Sequence, residues 1–294
     1  MINFSQWYDD LIANPNTIKR PLLIGEIGIN HNGNVDLAKK LIMLSKENGC
    51  DLVKFQKRNP DVCVPVHKKE ELKETPWGVI TYLEYKKRIE FGDKEFSEID
   101  EFCKDLKIQW SASAWDLESQ DFISKYNLSF NKIASAMNTN FVFVEKVAYE
   151  GKVTFLSTGM STLADIAKCV AIFKKHKCPV VLLHTVSTYP AVDVDLNLAV
   201  INTLRNEFGI PVGYSGHESS VTPSIIAGAL GAVAIERHVT LDRTMWGTDQ
   251  SASLEANGIK QLSSALGRIP VIIGDSEKKF TESEKKAAKN LRYW

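Results

Sequence analysis

The sequence has no net charge, no paired-cysteine motif and no long apolar run, and each absence removes a class of function. Lys plus Arg and Asp plus Glu both number 36, for a formal charge of zero. Without a basic excess, no net field draws the chain onto nucleic acid or an anionic membrane. The five cysteines, Cys50, Cys63, Cys103, Cys169 and Cys178, form no CxxC pair. An odd, scattered set is poor material for a disulfide framework, and these read as reduced, mostly buried thiols. The N-terminal stretch MINFSQWYDDLIANPNTIKR is acidic where a signal peptide needs a basic start and an apolar run, and no later segment approaches a membrane span. The expectation is a cytoplasmic protein with a compact small-molecule site and no nucleic-acid or membrane partner.

What the sequence does contain is a rhythm. Short apolar runs at Leu22 to Gly25, Asp51 to Phe55, Gln109 to Ser113, Phe130 to Ile133, Val153 to Leu156, Val180 to His184, Ile210 to Tyr214 and Ala232 to Ile235 read as strands. Helical spacing falls between them at Val35 to Asn48, Phe96 to Leu106, Leu117 to Tyr126, Phe141 to Tyr149 and Leu163 to Lys174, with a small-residue helix before Ala232. Ile259 to Leu266 closes the series, and Glu282 to Leu291 is a further, C-terminal helix. Eight alternating units without a composition shift predict an α/β fold, a single (β/α)8 TIM-type barrel over residues 1–294. Residues 1–20 form a leader that caps one end. Residues 58–95, with prolines, the run KKEELKE and the aromatics Trp77, Tyr82 and Tyr85, form a long excursion over the mouth after the second strand, its charge run read as a solvated helical face.

In such a barrel the active site lies at the carboxyl ends of the strands. The polar residues that end the runs are Glu26; Lys54 and Gln56; Ser111 and Ser113; Lys132 and Ser135; Ser157, Thr158 and Gly159; Ser187 and Tyr189; Ser215 and His217; Glu236 and His238. A lysine inside an apolar strand either snorkels to the surface or needs an anionic partner. Two of them among hydroxyls suit a phosphorylated small anion. His217 and His238, at the ends of successive strands, are either unrelated loop histidines or a pair of metal ligands, with Ser215, Glu236 and Asp249 near enough in sequence to complete a polar shell.

The motifs EIGINHNG, VKFQ, KIAS, LSTGMS, HTVSTYP, YSGH and IERH followed by GTDQSAS resemble, as an ordered set over roughly residues 22 to 291, the sialic acid synthase family. The resemblance implies condensation of phosphoenolpyruvate with an aldose acceptor, and a divalent metal, Mn2+ ahead of Mg2+ or Co2+, held by His217 and His238. It also implies that Lys54, Lys132, Ser113, Ser135, Ser157 and Ser215 hold phosphoenolpyruvate, that Gln56, Tyr189 and Asp249 contact the sugar, and that Glu26 lies beside the aldehyde. Glu26 would exchange a proton with the aldehyde oxygen or with the attacking water, and both roles stay open.

Two departures from the family pattern shape the expected acceptor. The KIxS motif is commonly followed by a Gly-Glu pair, and here Ala136 and Met137 stand in its place. The chain stops at Trp294, about where the linker to the family's antifreeze-like domain would begin. The expectation is weak use of free N-acetylmannosamine, improved by Met137→Glu, with the 58–95 excursion closing the mouth. A homodimer and a separate polypeptide replacing that domain are the partner arrangements left open. The alternatives are a phosphoenolpyruvate-dependent synthase for a smaller or phosphorylated aldose, a pyruvate aldolase, and a non-catalytic sugar-binding barrel.

Overall fold

The computed structural model describes residues 1–15 and 17–294; Asn16, within the leader, lies outside the described residues. Among the described residues ten strands form: β1 (Leu22–Gly28), β2 (Leu52–Lys57), β3 (Leu72–Thr75), β4 (Gly78–Thr81), β5 (Gln109–Ala114), β6 (Asn131–Ile133), β7 (Thr154–Ser157), β8 (Val180–Thr185), β9 (Val212–Gly216) and β10 (Ala234–His238). Eight of them close a parallel barrel in the order β1-β10-β9-β8-β7-β6-β5-β2, while β3 and β4 pair antiparallel in a separate hairpin. Parallel strands are covered on both faces, which is why these runs are apolar without the alternation of a half-exposed sheet. The fold is the (β/α)8 barrel expected from the sequence, with the long loop after β2 and the exposed C-terminal helix Glu282–Leu291.

The outer layer follows from helical periodicity and capping. In Val35–Glu47 the buried positions Ala38, Leu41, Ile42 and Ser45 recur at three- and four-residue spacing, and the Asn34 side chain caps the first turn. Inside the barrel floor, Ile24, Leu52, Phe130, Phe155, Val181 and Leu183 form a cluster. Helix Phe4–Ala13 covers it from below, with the Phe4 ring 4.9 Å from Phe130 and 6.2 Å from Phe155. No helix among the described residues is long and apolar enough to cross a membrane.

The fold departs from the sequence reading in two segments. The run KKEELKE is not a helical face: Val66–Lys68 is a single 3-10 turn, and Leu72–Thr75 is a strand that turns back at Gly78, whose φ of +98° suits the tight turn. Helix Val200–Phe208, between β8 and β9, had no counterpart in the sequence reading. The rest of the excursion is ordered by the turn after β1. At Gly33, with φ +74°, a Cβ would stand 2.3 Å from the Arg88 carbonyl oxygen, so the excursion helix Tyr82–Ile89 packs directly on that turn.

Candidate active site

Strand register brings the polar strand ends together. Glu26 on β1 is flanked by Lys54 on β2 and His238 on β10; Ser113 on β5 lies beside Gln56 and Lys132; Ser215 on β9 lies beside Thr185 and Glu236. They surround a cavity of about 150 Å³ at the carboxyl mouth. Glu26, Lys54, Gln56, Ser113, Lys132, Ser135, Ser157, Ser187, Tyr189, Ser215, His217, Glu236 and His238 all line it. Asp249 stands behind, its Oδ2 3.8 Å from His238 Nδ1.

Two ammonium groups and two carboxylates sit in the floor, each almost fully buried. Lys54 Nζ is 2.7 Å from Glu26 Oε2 and donates to Ser113 Oγ at 3.3 Å. Lys132 Nζ is 3.5 Å from Glu236 Oε1 and donates to Ser157 Oγ at 2.8 Å. Burial pushes the Glu26 carboxyl up to about 7, with Lys54 pulling against it and Glu236 adding to it. Burial acts the same way on Glu236, but Lys132, Lys54 and His238 outweigh it and hold that carboxylate low. Lys132 is driven down to about 8 by burial despite Glu236 beside it. The asymmetry leaves one carboxyl able to carry a proton near neutral pH and one fixed as an anion.

The imidazoles of His217 and His238 lie 5.5 Å apart by ring centroids, with the Tyr189 ring 4.1 Å from the first and 5.7 Å from the second. Burial lowers His217 to about 4 and lowers His238 as well, so both rings are neutral at physiological pH. His217 Nδ1 is 2.7 Å from the Val186 carbonyl oxygen, which makes it the N–H nitrogen and leaves Nε2 with a free lone pair. His238 Nδ1, Glu236 Oε2 and Ser187 Oγ are buried with no hydrogen-bond partner among the described residues. Such orphaned groups mark where a ligand is expected. Among the described residues no third His, Cys, Asp or Glu converges with the histidines into a cluster of three.

Some residues sit elsewhere than the sequence reading put them. Ser111 and Thr158 spend their hydroxyls on the carbonyls of Phe130 and Leu183 and do not face the cavity. Met137 is a correction: the 3-10 turn Ser135–Met137 directs Ala136 to the cavity and packs Met137 into the hydrophobic core, 8 % exposed. A glutamate there would bury a charge, so the acceptor argument built on Met137 does not stand. Trp77, Tyr82 and Tyr85 do not line the cavity either; Trp77 and Tyr85 pack edge-on against Trp246. The sequence reading missed Trp115, Ala134, Met160 and Thr185, which do line it. Thr185 is one residue past the run taken to end at His184, the one place where a cue existed. Gly159 explains how the hydroxyls converge: a Cβ there would meet Ser187 Oγ at 2.3 Å and Ser135 Oγ at 2.7 Å.

A closed (β/α)8 barrel whose carboxyl mouth encloses paired ammonium and carboxylate groups beside two neutral imidazoles is built as an enzyme for small anionic substrates. Residues 41–278 match the NeuB family. The chain is 36% identical over 275 residues to the N,N'-diacetyllegionaminic acid synthase of Campylobacter jejuni, covering 92% of this chain and 82% of that one. It is 34% identical over 265 residues to the N-acetylneuraminate-9-phosphate synthase of Homo sapiens, covering 89% and 74%. Among solved structures, the N-acetylneuraminic acid (sialic acid) synthetase of Leptospira borgpetersenii, in complex with citrate, superimposes with a TM-score of 0.82 at 31% identity over 94% of each chain. The chain belongs to the NeuB family and is an enzyme of the sialic acid synthase type.

Proposed function

We propose that the protein condenses phosphoenolpyruvate with a sugar aldehyde, in a metal-dependent reaction, to give a 3-deoxy-2-keto sugar acid and phosphate. The observation that carries this reading is the buried floor of the cavity, where Lys54 and Lys132 alternate with Glu26 and Glu236 beside two neutral imidazoles. The names of the synthase relatives support it.

Lys54 and Lys132 neutralise the phosphate and carboxylate of phosphoenolpyruvate, with Ser113, Ser135, Ser157 and Ser215 filling the remaining acceptor positions. The enol carbon attacks the aldehyde carbon and a carbon–carbon bond forms. Positive character is left at the phosphate-bearing carbon, water adds there, and the carbon–oxygen bond to phosphate breaks. Glu26, whose carboxyl burial pushes up to about 7, can give or take a proton near neutrality and exchanges one with the aldehyde oxygen or with the water. Gln56 donates to Glu26 Oε1 at 3.0 Å and so orients it, while Tyr189, which lines the cavity, faces the sugar and Asp249 backs His238.

The donor set fits a divalent ion. His217 Nε2 and His238 would hold it, Mn2+ ahead of Mg2+ or Co2+, both rings being neutral and the Nδ1 of His238 lacking a partner. What such an ion supplies is Lewis-acid polarisation of the aldehyde oxygen. His217→Ala and His238→Ala should each lose Mn2+ binding in an electron paramagnetic resonance titration while circular dichroism stays that of the parent. Retention of tight Mn2+ in the double variant would remove the metal from this reading.

The direct test is phosphate release from phosphoenolpyruvate against a panel of aldoses, with mass spectrometry of the keto acid. An aldolase using pyruvate releases no phosphate, and a binding module yields no product.

A further inference from the structure

Lys132 sits on the strand of the barrel that has the fewest ladder partners. β6 is the shortest of the eight barrel strands; it pairs with β5 only at Ser113↔Lys132, and with β7 from Asn131↔Thr154 to Ile133↔Leu156. The β7 chain runs on through Ser157, Thr158 and Gly159 beyond that last pair. Neighbouring residues of a parallel strand turn their hydrogen-bonding groups to opposite sides. Thr158 turns toward β8, its N–H donating to the Leu183 carbonyl oxygen at 2.9 Å. The Ser157 carbonyl therefore turns toward β6, which has already ended.

The side chain of Asn138 fills that gap. It follows the 3-10 turn Ser135–Met137, is 2 % exposed and does not line the cavity. Its amide nitrogen donates to the Ser157 carbonyl oxygen at 3.0 Å and to the Gly159 carbonyl oxygen at 3.2 Å, which uses both N–H groups. Oδ1 has no partner among the described residues, so the amide is placed for its donors alone. The residue is itself held from outside, its backbone carbonyl oxygen accepting from Cys169 Sγ at 2.9 Å on helix Leu163–Lys175. The chains it joins carry groups of the cavity: Ser157 Oγ accepts from Lys132 Nζ at 2.8 Å, and the Gly159 N–H donates to Ser135 Oγ at 3.2 Å. One amide thus bridges the β6 turn and the β7 end where Lys132, Ser135 and Ser157 meet.

We infer that Asn138 is a positioning residue for the phosphoenolpyruvate half of the site: its amide replaces ladder bonds that β6 is too short to make, and it keeps Ser157 and Gly159 in register with Lys132 and Ser135. It touches no substrate and acts through the two carbonyls. The inference rests on the condensation reading, which supplies phosphoenolpyruvate as the anion held there. Groups that grip a ligand work only when the shell behind them holds them to within about 0.5 Å. Without the amide, two buried carbonyls lose their donor, and the β7 end shifts to find another.

The test is calorimetry with phosphoenolpyruvate alone, followed by steady-state kinetics with the aldose that gives product in the phosphate-release panel. Asn138→Leu, similarly branched but without donors, should weaken phosphoenolpyruvate by about ten-fold or more, the scale of one contact to a charged group. Its KM for the aldose should stay within about two-fold of the parent's. Asn138→Ser, which keeps one donor, should fall between Asn138→Leu and the parent. Asn131→Ala is the control for strand stability, because it removes a bond of 3.1 Å to Glu150 from the same strand at the end away from the site. That control should lower the thermal midpoint and leave phosphoenolpyruvate binding within about two-fold. Equal weakening in Asn131→Ala, or an equal rise in the aldose KM of Asn138→Leu, would make Asn138 a general support of the barrel and overturn the inference. Failure of both Asn138 variants to fold would do the same. Parent-like phosphoenolpyruvate binding in Asn138→Leu would overturn it and leave the condensation intact, whereas a parent that binds no phosphoenolpyruvate would overturn the condensation reading and the inference with it.

Discussion

Lys54 and Lys132 lie deep in the barrel with the carboxyl groups of Glu26 and Glu236 beside them, so each buried amine has a partner before substrate arrives. Lys54→Met and Lys132→Met should each weaken phosphoenolpyruvate in calorimetry by about 1.5–3 kcal/mol, the range for hydrogen bonds to charged groups. The affinity for the sugar should change much less. Lys132 also sets a pH limit. Its folded-state value of about 8 lies below the ordinary lysine value, so the ammonium is present below that pH and lost above it. The kcat/KM for phosphoenolpyruvate should therefore fall as pH rises through about 8, and Lys132→Arg should move that limb upward, since a guanidinium keeps its proton. Both lysines were legible in the sequence because a charge inside an apolar run needs a partner. Met137 was misread because sequence adjacency does not say which side of a 3-10 turn faces the cavity, and Trp115 and Met160 carried no local signal beyond their place in loops.

At the scale of elements, the excursion acts through the loop that carries Asp249. Trp246 sits between Trp77 and Tyr85, at 5.9 and 5.2 Å by ring centroids, and its carbonyl oxygen accepts from the Asn32 side chain at 2.8 Å. Asn30 bonds the Val239 carbonyl and Ser253 Oγ, both at 2.8 Å, so the turn after β1 braces the same loop from its two ends. Trp246→Ala should raise the acceptor KM with little change for phosphoenolpyruvate, and should cost about 1–3 kcal/mol in urea unfolding, the ordinary range for losing packed contacts. Unchanged acceptor kinetics in that variant would separate the aromatic contact from substrate binding. The eight barrel strands were readable because each is an apolar run with a polar end. The hairpin was not, since its charged residues fit a solvated helix as well as an edge strand until the Gly78 turn is known, and helix Val200–Phe208 was hidden in the long stretch between two strands.

Across the whole molecule, strand alternation gives the last two strands a second use. Arg237 and Glu218, each next in sequence to a histidine, point away from the cavity and form a buried ion pair at 2.9 Å, joined by Ser224 and the Tyr214 hydroxyl. This lock fixes β9 against β10 behind the two imidazoles. Arg237→Met should cost about 3–5 kcal/mol of stability by leaving Glu218 buried and uncompensated, read from urea unfolding. Replacing both partners with well-packed apolar residues should recover much of it. The seam of the barrel has a consequence of another kind. β1 pairs with β2 on one edge and with β10 on the other, so Glu26 meets Lys54 soon after both are made but meets His238 only when the last strand arrives. A chain still emerging from the ribosome therefore holds neither the full lysine–carboxylate floor nor the histidine pair. Both come into being in the closure of one ring, and reactive capacity is withheld, by topology alone, until the last barrel strand has been synthesised.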